Sequence, residues 1–191
     1  MRYWIVNRRS RSIALIGMMG AGKSSVGRCL NRRTGLALHD TDEIVEATFG
    51  MSISEIFAKH GEKKFRTAET EALRRMRTEE QTIIITGGGI VLRQENVEIL
   101  RSQAVIVWLD ADEETLFARL SKKQNRPLLQ TKNPRKTFTQ ILGSRRPLYA
   151  NIADVRVDTS VLTDEEVAVA ILAKLKRVNS KRESFIPSTA L

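Results

Sequence analysis

The stretch from Gly17 to Ser24, GMMGAGKS, fits G-x-x-x-x-G-K-[ST] at every fixed position. The chemistry such a loop serves is the holding of a nucleoside triphosphate. Gly20 and Gly22, on either side of Ala21, let the backbone wrap the phosphates so that successive N–H groups and a helix N-terminus face the anion. Lys23 then reaches the β- and γ-phosphates as a point charge, and Ser24 offers its hydroxyl to Mg²⁺. A glycine-rich turn that binds nothing is the alternative. A buried strand before the loop and an amphipathic helix after it, together with the lysine and hydroxyl, argue against that. The loop alone leaves the fate of the nucleotide open, because motors, switches and small-molecule kinases share it.

Three further groups could form an acceptor side. Asp40 and Asp42 stand two residues apart in HDTDE. Two carboxylates beside a triphosphate suit a pair in which one supports Mg²⁺ and the other takes a hydrogen bond from a substrate hydroxyl. Helix capping explains them equally well. Gly87-Gly88-Gly89 ends an apolar run, and three glycines suggest a backbone that a ligand approaches closely, or else a plain flexible turn. Arg66 and Glu69 are spaced i, i+3, so the carboxylate can aim a guanidinium for bidentate capture of an acid. A surface salt bridge would read identically.

These residues need a scaffold. SIALI (12–16), LALHD (36–40), TIIIT (82–86), AVIVWL (104–109) and residues 155–157 read as short strands bounded by turn residues. Helical spacing fills Lys23–Arg33, two segments split around Gly50, and a long amphipathic stretch from Gly61 to Glu80. It continues in Glu95–Arg101, Asp112–Leu120, a weakly helical 135–151, and Thr163–Arg177. Strands without polar alternation, each followed by a helix, predict an α/β fold: a five-stranded parallel sheet with helices on both faces. The expected organisation is a basic extension at 1–11, one domain at 12–178 and a loose tail from 179. Residues 121–133 are too irregular for an element and read as a mobile loop.

Composition is ordinary for a globular chain of 191 residues, and no apolar run is long enough for a membrane helix. The N-terminus is a poor signal peptide, and the single cysteine, Cys29, rules out an internal disulfide framework, so a cytoplasmic protein is expected. Net charge is +10, and nine Lys or Arg lie between Arg119 and Arg146 with no acid among them. An anionic partner therefore meets the protein there. Nucleic acid would explain that charge but not the acidic DTD or the ordered glycine motifs, and neither a nucleic-acid nor a membrane partner is expected.

Taken in order, GMMGAGKS, DTD (40–42), GEKKFRTAE (61–69), GGG (87–89), RPLL (126–129) and RRPLY (145–149) resemble the shikimate kinase family, from about Ser12 to about Arg177. The resemblance implies a P-loop kinase fold similar to nucleoside monophosphate kinases, with a lid at about 121–136. It implies phosphorylation of the shikimate 3-hydroxyl by ATP with Mg²⁺, on the way to chorismate and aromatic amino acids, by a monomer. In family terms Asp40 and Ser24 support Mg²⁺, and Asp42 contacts the acceptor hydroxyl. Arg66 and Arg145 grip the substrate carboxylate, with Gly88 and Gly89 giving backbone contacts and Glu69 standing behind Arg66. Arg126 is the lid arginine that closes on the phosphates, and Arg119 lies against adenine. Ser25, a nucleotide-binding position in family terms, departs from a common threonine. Val161 to Asp164 lack the proline frequent there, so a second adenine contact has no assignment from the sequence. A kinase for another small hydroxylated acceptor such as gluconate, or a nucleotide-dependent switch, would share the loop without needing DTD, FRTAE and GGG together.

Overall fold

Continuous apolar segments have to be buried on both faces, and a parallel sheet between two helical layers does this. A computed structural model describes residues 11–76, 80–121 and 131–183. Its strands are β1 (Ser12–Ile16), β2 (Ala37–Asp40), β3 (Thr82–Ile85), β4 (Ala104–Asp110) and β5 (Val155–Asp158). They form one parallel sheet in the order β2-β3-β1-β4-β5. Every residue of β3 and β4 is buried, whereas β5, an edge strand, alternates buried and exposed.

The helices are α1 (Lys23–Thr34), α2 (Thr41–Phe49), α3 (Ile53–Arg75), α4 (Gln94–Gln103), α5 (Glu113–Ser121), α6 (Pro134–Ile152) and α7 (Asp164–Glu183). One layer contains α1 packed on α7, and the opposite one contains α4 and α6, with α3 against α4. Among the described residues no helix is long and apolar enough to cross a membrane.

Several boundaries differ from the sequence reading. The segments beginning at Ile53 and Gly61 form one helix, α3, broken at Gly61, whose φ of 74° is not helical. A capping box, Ser52 with Glu55, starts it. A 3₁₀ turn, Ile90–Leu92, follows the triple glycine and was not expected. Helix α7 continues to Glu183, past the expected end at Arg177. Of the segment expected to be a lid, residues 122–130, with Arg126, lie outside the described residues, as do 1–10 and 184–191; Pro134 already opens α6.

Candidate active site

Three strands deliver functional groups from their carboxyl ends. β1 runs into the glycine loop, β2 into Asp40-Thr41-Asp42, and β3 into Thr86 and the triple glycine. The order β2-β3-β1, with Asp40 level with Ile85 and Ile85 level with Leu15, sets these ends side by side. From β3 the chain crosses past β1 to β4 on the other side, so the crevice lies where an open α/β sheet gathers ligands.

In the loop, Gly20 and Gly22 take φ values of 88° and 89°, a left-handed region that side chains disfavour. Gly22 is also the N-cap of α1, whose unsatisfied first-turn N–H groups therefore begin at the loop. The Lys23 ammonium donates to the carbonyls of Gly17 (2.8 Å) and Met18 (3.2 Å), which holds it inside the loop. Gly20, Gly22, Lys23, Ser24 and Ser25 all line a cleft of about 620 Å³, joined by Asp40, Asp42 and Arg119. Ala21 is buried and sits behind this wall, where its carbonyl accepts from the Thr159 hydroxyl at 3.4 Å. Arg119 donates to the Thr159 hydroxyl and carbonyl at 3.0 and 2.6 Å. The segment with no sequence assignment also contributes, since Leu162, Thr163 and Asp164 close the cleft.

The Asp40 carboxylate caps α2 by accepting from the Asp42 N–H at 2.9 Å. The same side chain that caps α2 also lines the cleft. Burial, and then the nearby Asp42 carboxylate, push Asp40 up to about 6. A dication beside Asp40 would oppose both effects, and with Ser24 in the same wall the donor set suits Mg²⁺. Among the described residues no cluster of three or more His, Cys, Asp or Glu could hold a metal alone. An ion held here would take its remaining ligands from phosphates and water, the usual habit of Mg²⁺.

A second pocket, about 80 Å³, opens beside the cleft and is lined by Asp42, Arg66, Glu69, the triple glycine and Arg145. Ile53, Phe57 and Phe65 supply its apolar wall. Met19, Asp42, Gly87 and Gly88 line both spaces, so the two meet at Asp42. Of the two, only the larger has room for a nucleotide.

Arg66 and Arg145, 7% and 6% exposed, present two buried guanidiniums to the smaller pocket. Arg66 donates to Glu69 at 2.9 Å and to Glu62 at 3.0 and 3.2 Å. Burial opposes its charge, but Glu69 and Glu62 outweigh this and raise Arg66 further. At Glu69, fully buried, burial prevails over the pull of Arg66 and raises the carboxyl above its ordinary value. One Glu69 oxygen, Oε1, is buried without a hydrogen-bond partner.

At two of the three glycines the protein itself approaches closely. A Cβ on Gly89 would stand 2.3 Å from Arg66 Nη1, and one on Gly87 would stand 2.6 Å from Glu69 Oε1. Gly88, half-buried, is the glycine of the three lining both pockets without such a clash, and its Cβ would lie 3.7 Å from Arg145 Nη1.

The shikimate kinase family model matches residues 19–176. The chain belongs to this family. A shikimate kinase of Thermodesulfovibrio yellowstonii is 44% identical over 170 residues, covering 89% of this chain and 98% of that protein. The shikimate kinase of Acinetobacter baumannii, solved in complex with shikimate, superposes with a TM-score of 0.85 at 34% identity, over 89% of this chain and 95% of that one. A gluconokinase from Sinorhizobium meliloti, with a TM-score of 0.60 at 18% identity, shares the fold alone. The α/β class, the P-loop and the family's kinase character all agree with the reading of the sequence.

Some contacts had no clear sequence signal. Thr41, the middle residue of DTD, is fully buried and its hydroxyl accepts from the Gly87 N–H at 3.0 Å, fastening the two motifs together. The Tyr149 hydroxyl donates to the Gly88 carbonyl. Burial pushes that phenol up to about 12, so it stays a donor at neutral pH. Cys29 and Trp108 are buried in the core.

Proposed function

We propose that this chain transfers the γ-phosphoryl group of ATP to the 3-hydroxyl of shikimate, giving ADP and shikimate 3-phosphate. The observation that carries this reading is the pair of pockets joined at Asp42, one walled by a triphosphate loop and the other by two buried arginines. Family membership narrows the small acid to shikimate.

In this reading the loop N–H groups and Lys23 hold the triphosphate, and Arg119 flanks the adenine. Arg66 and Arg145 bind the shikimate carboxylate, with the Gly88 and Gly89 backbone closing over the ring. That leaves a hydroxyl of the bound ring at Asp42, whose carboxylate orients it and accepts its proton. The shikimate oxygen then bonds to the γ-phosphorus while the bond to the bridging β–γ oxygen breaks, in line. Arg126 is assigned the charge on the transferring group, by family resemblance. Ser24 and Asp40 would hold Mg²⁺, which when bound neutralises charge on the phosphate oxygens. Catalysis is thus mainly positioning and electrostatics.

The test is ADP release by purified protein with shikimate, gluconate or nucleoside monophosphates as acceptor. Shikimate-dependent turnover that stops with EDTA and returns with Mg²⁺ is expected. Turnover with gluconate instead, or no acceptor-dependent turnover, would overturn the reading. The clash at Gly89 gives a narrower expectation. In Gly89→Ala the new methyl must displace the Arg66 guanidinium, so KM for shikimate should rise about tenfold with KM for ATP within about twofold. An unchanged shikimate KM would mean that the placement of Arg66 against Gly89 is irrelevant to binding.

A further inference from the structure

The helix that carries Arg145 has a defect beside it. Pro147 lies inside α6, so the Gly143 carbonyl receives no N–H from position 147. Gly143 is itself the residue that least restrains a helix. The turn from Gly143 to Pro147, which contains Arg145, therefore lacks an internal bond at the point where the site needs a fixed guanidinium. Something outside the helix must hold it.

Two long-range contacts do so, and both begin within four residues of Arg145. Tyr149, fully buried, reaches the Gly88 carbonyl. Arg146 reaches the end of β4. Its Nη2 donates to both oxygens of Asp110, at 3.0 and 3.2 Å, and to the Ala111 carbonyl at 3.0 Å. Asp110 is 3% exposed, so its charge is held out of water and needs partners. A second partner is Arg156 on β5, whose Nη2 donates to Asp110 at 2.7 Å and whose guanidinium lies over Trp108, 4.9 Å from the ring centre. Trp108 in turn faces the Tyr149 ring, centres 6.1 Å apart. Asp110 and Trp108 are i, i+2 on β4 and so share one face of the sheet, the face toward α6.

We propose that Arg146 is a positioning residue for the acceptor pocket: its grip on Asp110 pins the weakened turn of α6 and sets the height of Arg145 over the bound acid. The inference rests on the reading of Arg145 as a carboxylate-binding group. The two arginines on Asp110 separate this role from general stability, because both stabilise the same carboxylate but only Arg146 belongs to α6.

The experiment compares Arg146→Gln, Arg156→Gln and Arg145→Ala in steady-state kinetics, with thermal melts of each. Arg146→Gln is expected to raise KM for shikimate about tenfold, with kcat and KM for ATP within about twofold. Arg156→Gln is expected to leave the shikimate KM within about twofold, even where its melting temperature falls as far. Arg146→Lys, which keeps a cation near Asp110, is expected to recover part of the loss. If Arg146→Gln and Arg156→Gln lower the melting temperature alike and neither moves the shikimate KM, the cluster is only structural and the proposal fails. If Arg145→Ala itself leaves the shikimate KM unchanged, the reading of the pocket fails instead.

Discussion

Asp42→Asn is expected to lower kcat by a factor of about 10²–10⁴ while KM for ATP stays within about twofold. The substitution conserves size, so the packing beside Gly87, where a Cβ would stand 2.9 Å from Asp42 Oδ1, is undisturbed. A carboxamide can still accept a hydrogen bond, but it offers no negative charge to the hydroxyl and cannot take its proton. The triphosphate side should be spared for a further reason. The Asp42 carboxylate is one of the causes raising Asp40, so neutralising it makes Asp40 easier to ionise and a cation easier to hold there. Loss of ATP binding is therefore not the expected route to inactivity. The measurement is initial-rate kinetics with each substrate varied in turn. Parent-like kcat would remove Asp42 from the chemistry and leave it only as a residue lining the junction of the pockets.

The parts legible in the sequence are those whose causes are local. β1, β3 and β4 are uninterrupted apolar runs, and such runs have no stable place except between two layers. The phosphate loop is legible for the same reason: its glycines, lysine and hydroxyl act within one turn of chain. Contacts made across the fold were not legible. Thr41 to Gly87, Tyr149 to Gly88 and Arg146 to Asp110 span 46, 61 and 36 residues of sequence. Nothing near Asp110 in the chain signals that two arginines converge on it. The triple glycine shows a subtler gap. Its composition indicated close approach, but Gly87 and Gly89 are approached by Glu69 and Arg66 of the protein itself. A missing side chain records that space is occupied without recording what occupies it.

Arg66→Ala is expected to act twice, on affinity and on stability, with the two effects separable. Truncating one partner of a buried, hydrogen-bonded charge pair costs about 2–5 kcal/mol, so the shikimate KM should rise by about thirtyfold or more. Stability should fall by about 3–5 kcal/mol, because Glu69, fully buried, is left without its guanidinium. The sign of the pH dependence follows from Glu69. Burial already raises its carboxyl above the ordinary glutamate value of 4.5, with Arg66 opposing. Removing Arg66 enlarges that rise. A carboxyl raised in the folded state binds its proton more tightly there than in the unfolded chain. Stability is therefore lost as pH climbs from the unfolded value through the folded one. The deficit of Arg66→Ala relative to the parent should thus be greater at pH 8 than at pH 5, read by urea unfolding at each pH. An equal deficit at both would mean that Glu69 is not carrying a buried charge. Replacing both partners, Arg66→Met with Glu69→Leu, removes the charges together and should recover most of the lost stability. It should recover none of the shikimate binding, since Glu69 supports the guanidinium and cannot substitute for it. That contrast distinguishes an ion pair kept for the ligand from one kept for the fold.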